Sequence, residues 1–205
     1  MLNFVFDKQT GLTLLELLVV ISIIILISAG LLLSSDSHKG ALSLQKSAVQ
    51  LAQHLREAQE MAMGAVAVGC GASETRTFGI YFEQASNNKY WLFADCSNPL
   101  NYRRDIGVDV DIKEISFEQG VSIGKLVRPD DLTKTTSATN IVFSPPDPAV
   151  DIKYRYGSWR STLWGQEQTV RLETVSGEAK CIKVNKVGRI EVKDPEAGDP
   201  YCPIL

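Results

Sequence analysis

"QTGLTLLELLVVISIIILISAGLLL" (residues 9–33) is the stretch on which the reading of the whole chain turns. From Leu17 to Leu33 it carries no charge, and only Ser22, Ser28, Ala29 and Gly30 interrupt the large apolar side chains. A helix through residues 12–33 would be roughly 33 Å long, which matches the hydrocarbon core of a bilayer. Glu16 stands inside the first turn of that run. An ionised carboxylate there costs roughly 3 kcal/mol on insertion unless it is paired, and taken alone it reads as a side chain snorkelling to the interface. A cleaved secretory signal fits poorly, because Asp7 cancels Lys8 in the leader and the run continues into a helical pattern where a cleavage loop belongs.

Working outward, no proline occurs between Met1 and Val68, which permits one long helix. After the polar break "SSDSHKG", apolar residues fall at Leu44, Ala48, Leu51, Leu55, Ala58, Ala62 and Ala65. Their alternating spacing of three and four is the stripe of an amphipathic helix, and its alanines suit close packing on a sheet. Gly30 and Gly40 mark points of bending, His54 falls on the polar side, and "GAVAVGCGAS" ends the helix.

The remainder is strand-like. "TFGIYFE" and "KYWLFAD" flank the loop "QASNN" as a hairpin, and further strands are expected at "VDVDIKEISF", "VSIGKLV", "NIVFS", "DIKYRYG", "QTVRLETV", "AKCIKVN" and "RIEVK". In the last pair, Cys181, Lys183 and Asn185 alternate with Ile182 and Val184, which sets them on opposite faces. The expected fold class is α+β: a long N-terminal helix, half membrane and half amphipathic, packed on an antiparallel β domain of two sheets. The corresponding segments are a leader (1–11), a transmembrane helix (12–33), an amphipathic helix (34–69), the β domain (70–193) and a Pro-rich tail (194–205) that only a disulfide or docking would order.

Among 205 residues, 21 Lys+Arg against 24 Asp+Glu leave a net charge of −3, so nucleic acid would have to be held by a local patch. "KYRYGSWRSTLWG" offers one, interleaving Lys153, Arg155 and Arg160 with aromatic rings; Arg189 is a further candidate. The competing reading is an amphipathic strand and turn with snorkelling arginines, and DNA is not the favoured partner. Asp105, Asp109 and Asp111 lack the spacing and turn glycine of a calcium loop. Cys70, Cys96, Cys181 and Cys202 have no CxxC spacing, so zinc is not expected; in an exported domain they suggest disulfides, with three pairings open. Cys70–Cys96 with Cys181–Cys202 joins neighbours in chain order and is favoured; buried free thiols are the alternative. No catalytic residue, metal or cofactor is indicated, since the strand region has no histidine and no nucleophile motif.

A short polar leader ending in Gly11, then Leu-Thr-Leu-Leu-Glu and an unbroken apolar helix, resembles the prepilin N-terminus of type IV pilins and type II secretion pseudopilins. The resemblance implies cleavage between Gly11 and Leu12 by a prepilin peptidase on the cytoplasmic face and N-methylation of Leu12, where the family usually has Phe. It makes Glu16 the acid at the fifth mature position, which would neutralise the new amino terminus or that of a neighbouring subunit and so set register. "LREAQEMAMG", the strand pair, and "EAKCIKVNKVGRIEV" resemble more loosely the GspH/FimT type of minor pilin. The implied partners are the peptidase, other pilin or pseudopilin subunits and the inner membrane. The implied location is a single-pass inner-membrane protein with its C-terminal domain outside, entering a filament on assembly. Some FimT-like minor pilins bind DNA, and an unprocessed signal-anchored protein is the further alternative.

Overall fold

The computed structural model describes residues 13–33, 35–64, 66–71, 73–128, 131, 134–145, 150–161, 167–199 and 202, with backbone alone at 29–33, 35–38, 73 and 156. It comprises two compact units, Met1–Lys39 and Gly40–Leu205.

In the first unit, α1 (Leu14–Leu33) is a 20-residue helix. Every side chain from Thr13 to Ser28 is exposed, so the apolar residues from Leu14 to Ile27 lie outside the cores formed by the described residues. Among the described residues no helix is long and apolar enough to cross a membrane. The fully described part, residues 13–28, falls short of the roughly 20 apolar residues a span requires.

The second unit is built on α2 (Ser35–Met63), which enters it at Gly40. Leu44, Ala48, Leu51, Leu55, Ala58 and Ala62 are all buried, the stripe expected from the spacing; Ala65 lies outside the described residues. The polar stretch read as a break is helical from Ser35 onward. The helix stops at Met63, short of residue 69, with the Val66 amide donating back to the Met61 carbonyl in a widened last turn. Beyond it β1 (Val68–Cys70) and β2 (Ser73–Thr75) form a small antiparallel hairpin that the sequence reading absorbed into the helix end.

β3 (Phe78–Glu83), a single 3₁₀ turn at Gln84–Ser86 and β4 (Lys89–Ala94) make the expected hairpin. With β5 (Val110–Ser116), β7 (Ala138–Phe143), β8 (Val150–Tyr156) and β9 (Ser158–Ser161) they form a six-stranded antiparallel sheet ordered β5-β4-β3-β7-β8-β9. β6 (Val121–Val127), β10 (Glu167–Thr174), β11 (Ala179–Asn185) and β12 (Ile190–Lys193) form a second sheet ordered β12-β11-β10-β6. The fold is therefore α+β, with antiparallel sheets packed by one helix. Because strand side chains alternate, one face of each sheet joins the stripe of α2: Ile80, Phe82, Tyr90, Leu92, Ile141 and Ile152 from the larger sheet, Ile123, Leu126, Val170, Leu172, Ile182 and Val184 from the smaller. A buried polar link ties the sheets, where the Thr139 hydroxyl on β7 donates to Gln168 Oε1 on β10 at 3.1 Å.

Two positions depart from the sequence reading. His54 is not on a solvated face: its Nδ1 lies 2.7 Å from the buried Tyr90 hydroxyl. Lys183, assigned to the outer face of β11, does lie opposite Ile182 but is buried, its Nζ donating to Asp199 Oδ2 at 2.6 Å. The C-terminal tail lies over that face. Asp199 Oδ1 accepts from the Cys202 amide at 3.2 Å, and Cys202, fully buried, is disulfide-bonded to Cys181. The second disulfide joins Cys70 on β1 to Cys96 just after β4.

Candidate functional site

The N-terminal candidate begins with a cap. Thr13 precedes the first helical residue, and its Oγ1 accepts from the Glu16 backbone N–H at 3.2 Å while its carbonyl accepts from Leu17 at 3.1 Å. Thr-x-x-Glu is the capping-box spacing, and Glu16 places a carboxylate in the first turn, near the positive end of the helix dipole. Thr13 was missed in reading the sequence as an apolar run, although the spacing from Thr13 to Glu16 is visible there. The Glu16 side chain is exposed, as are the aliphatic side chains that follow it along the helix. Gly11 and Leu12 lie outside the described residues.

The second candidate was the basic and aromatic stretch. It folds as β8 and β9 joined through Gly157 (φ 69°), with Trp164 outside the described residues. Register separates the four cations. Lys153 and Arg155 pair with Ser161 and Trp159, whereas Arg160 pairs with Tyr154 and so lies on the opposite face. Arg189 belongs to the turn before β12 in the other sheet and is ion-paired with Glu191.

What gathers around Lys153 and Arg155 instead is an internally matched cluster on the outer face of the larger sheet. The Arg104 guanidinium donates through Nε and Nη2 to both carboxylate oxygens of Asp111 at 2.6 Å, and stacks 4.8 Å from the Trp91 ring and 5.3 Å from Tyr81. Arg155 donates to Glu83 at 3.4 Å and lies 5.8 Å from the Trp159 ring; Lys153 lies 5.6 Å from Tyr102. Trp91 Nε1 and Lys89 Nζ both donate to Glu114, which holds that carboxyl below its ordinary value, the Lys89 hydrogen bond contributing most. Burial, then the charge of Glu83, pushes the Tyr81 phenol up to about 12. Tyr81 and Trp91 are buried and Arg104 and Arg155 are ion-paired with Asp111 and Glu83, whereas the half-buried Tyr102 and Trp159 rings lie beside Lys153 and Arg155. Arg104 comes from the loop between β4 and β5, and no local sequence signal places it over Trp91.

The three aspartates considered for calcium organise that same loop. Asp109 accepts from the Cys96 and Asp105 amides, Asp105 accepts from Asn101, and Asp111 holds Arg104. Among the described residues no group of three or more metal-ligating side chains forms.

No curated protein and no solved structure matches the chain. A family model described as the prokaryotic N-terminal methylation motif does match, over residues 6–32, which include Gly11, Thr13, Glu16 and nearly all of α1. The chain therefore carries the prepilin-type motif of type IV pilins and pseudopilins at its N-terminus.

Proposed function

We propose that this protein is a minor pilin or pseudopilin subunit of the GspH/FimT type, cleaved between Gly11 and Leu12 by a prepilin peptidase, methylated at Leu12 and assembled through α1 into a type IV pilus or type II secretion pseudopilus. The observation that carries the reading is α1 itself. Its backbone is helical for 20 residues, about 30 Å at 1.5 Å per residue, and its side chains from Leu14 to Ser28 are all exposed and, apart from Glu16, Ser22 and Ser28, apolar. Such a helix requires either lipid or other helices around it. The domain Gly40–Leu205 contains its own core and both disulfides, which suits a single-pass inner-membrane precursor whose domain folds in an oxidising compartment.

Glu16 supplies register. Cleavage creates an amino group four residues before it, and a carboxylate in an apolar helix stack is tolerable when that amine, its own or a neighbour's, lies beside it. The Thr13 cap fixes the helix start, so the distance from the new terminus to Glu16 is set by helical geometry. The role is structural, with no cofactor.

Mass spectrometry of the chain coexpressed with a prepilin peptidase tests processing: the expected mature species begins at Leu12 and carries one added methyl group. An unshifted precursor mass would refute it. Glu16→Ala tests the register role, with loss from sheared filaments expected while the processed protein still accumulates in the membrane fraction. Filament entry at the wild-type level would remove that role.

A further inference from the structure

The two disulfides sit in opposite surroundings. Cys181 and Cys202 are both fully buried, where the Lys183–Asp199 ion pair holds the tail down. Cys70 and Cys96 are half-buried and border an open cleft of about 640 Å³ at one end of the larger sheet. A thiol dissolved in water meets Cys70–Cys96 directly and reaches Cys181–Cys202 only after the tail opens.

The halves joined by Cys70–Cys96 are held unequally. Cys96 stands in a loop fixed by other means. Its amide donates to Asp109 Oδ1 at 2.8 Å, and the buried Asp95 carboxylate beside it accepts from the Ser97 amide at 3.0 Å and the Tyr102 amide at 2.7 Å. Cys70 ends β1, which pairs with β2 in a separate two-stranded sheet, in register Val68↔Thr75, Gly69↔Glu74 and Cys70↔Ser73. The hairpin is packed at its root, where Val68 lies against the core and Thr75 is buried, while Gly69, Gly71 and Glu74 are exposed. Two strands of three residues are marginal by themselves, so the outer part of this hairpin depends on its covalent tie to the β4 loop.

We infer that Cys70–Cys96 is a site of thiol–disulfide exchange that latches the β1–β2 hairpin, and that its reaction partner is a dithiol reductant. The thiolate of the dithiol attacks one sulfur of the bridge, forming a mixed disulfide and releasing the other sulfur as a thiolate that takes up a proton. The second thiol of the reagent then attacks the mixed disulfide. The reagent leaves as its own disulfide, and Cys70 and Cys96 remain as thiols that have together gained its electron pair. The reduced hairpin loosens from its outer end, and the Cys96 loop keeps its place through Asp95 and Asp109. Cys181–Cys202 stays oxidised throughout, so one bond is a latch and the other a permanent staple.

The test is reduction of the oxidised full chain in detergent by graded dithiothreitol, with free thiols trapped by N-ethylmaleimide and mapped by mass spectrometry. A species labelled at Cys70 and Cys96 alone is expected to accumulate. It should form about a hundredfold faster than label appears at Cys181 and Cys202, because opening the tail first breaks a buried ion pair. Simultaneous labelling of both cysteine pairs, or labelling of Cys181 and Cys202 first, overturns the exchange site. Hydrogen exchange at a reductant concentration that opens only Cys70–Cys96 reads the latch. The amides of β1 and β2 should exchange about tenfold faster than in the oxidised chain, while Cys96, Ser97, Tyr102 and strands β3 and β4 keep their protection. The double variant Cys70→Ser/Cys96→Ser should show the same pattern without reductant. Unchanged exchange in the hairpin, or fast exchange that spreads into β3 and β4, overturns the latch.

Discussion

Asp199→Asn tests how the C-terminal tail is held. Lys183 and Asp199 are 8% and 13% exposed and meet at 2.6 Å, so both charges were taken largely out of water to form the pair. Removing one partner of such a pair costs about 3–5 kcal/mol, because the remaining charge loses its opposite charge in a poorly solvated site. Asparagine keeps an oxygen for the Cys202 amide, so the substitution isolates the charge rather than the turn. The residual exposure of Lys183 favours the lower end of the range. For a domain of this size, 3 kcal/mol corresponds to a fall in Tm of about 6–12 °C. Differential scanning calorimetry of the purified chain, with both disulfides oxidised, reads the change. The double variant Lys183→Met/Asp199→Asn should recover most of the loss, since an apolar side chain under the tail needs no partner. A fall of less than about 2 °C in the single variant would mean that Lys183 is solvated well enough to do without Asp199. A double variant no more stable than the single would refute the buried-charge argument altogether.

Gly79→Ala should destabilise the domain by about 1–3 kcal/mol in urea denaturation, because the added Cβ meets the Ile141 carbonyl and the side chains of Phe93 and Val142 at 2.9 Å, and a carbonyl within a sheet cannot yield. Gly69→Ala, with nothing within 4 Å, is the comparison expected to show no loss of packing. Acid should weaken the domain through His54. Burial, then the charge of Lys113, holds its pKa below 6.5, with Glu57 opposing. Between the folded and unfolded pKa values the unfolded chain binds the extra proton, so this contribution is complete above about pH 6.5 and is lost as the pH falls from there through the lower folded value. Tm measured at pH 7.5 and 5.5 should fall less in His54→Gln than in wild type; equal falls would remove His54 as the cause.

Much of the fold is local in origin and was legible for that reason. The stripe from Leu44 to Ala62 follows from helical period alone, and each β strand after the first two except β9 was marked by an apolar, aromatic or alternating run; β9 was not expected as a strand and lies in the basic and aromatic stretch. The first hairpin was missed because Val68–Cys70 and Ser73–Thr75 are three residues each, too short for a period to show. Thr13 was visible as a capping spacing but was obscured by the apolar run around it.

By itself the sequence determined that an apolar helix interrupted by Glu16 follows a short segment ending in Gly11, and that an amphipathic helix and antiparallel strands come after it. Period, charge and composition are properties of neighbouring residues, so no tertiary knowledge is required to read them. Only the tertiary structure decided which strand faces are covered twice. Alternation assigns Lys183 to the face opposite the core, but it carries no information that the tail carrying Asp199 and Cys202 returns over that face. It likewise groups Lys153, Arg155 and Arg160 as one basic segment, whereas pairing with β9 turns Arg160 away and the loop carrying Arg104 and Tyr102 occupies the face that remains. Long-range closure sets those contacts, and it turns what reads as an open basic patch into a cluster in which Arg104 and Arg155 are each ion-paired.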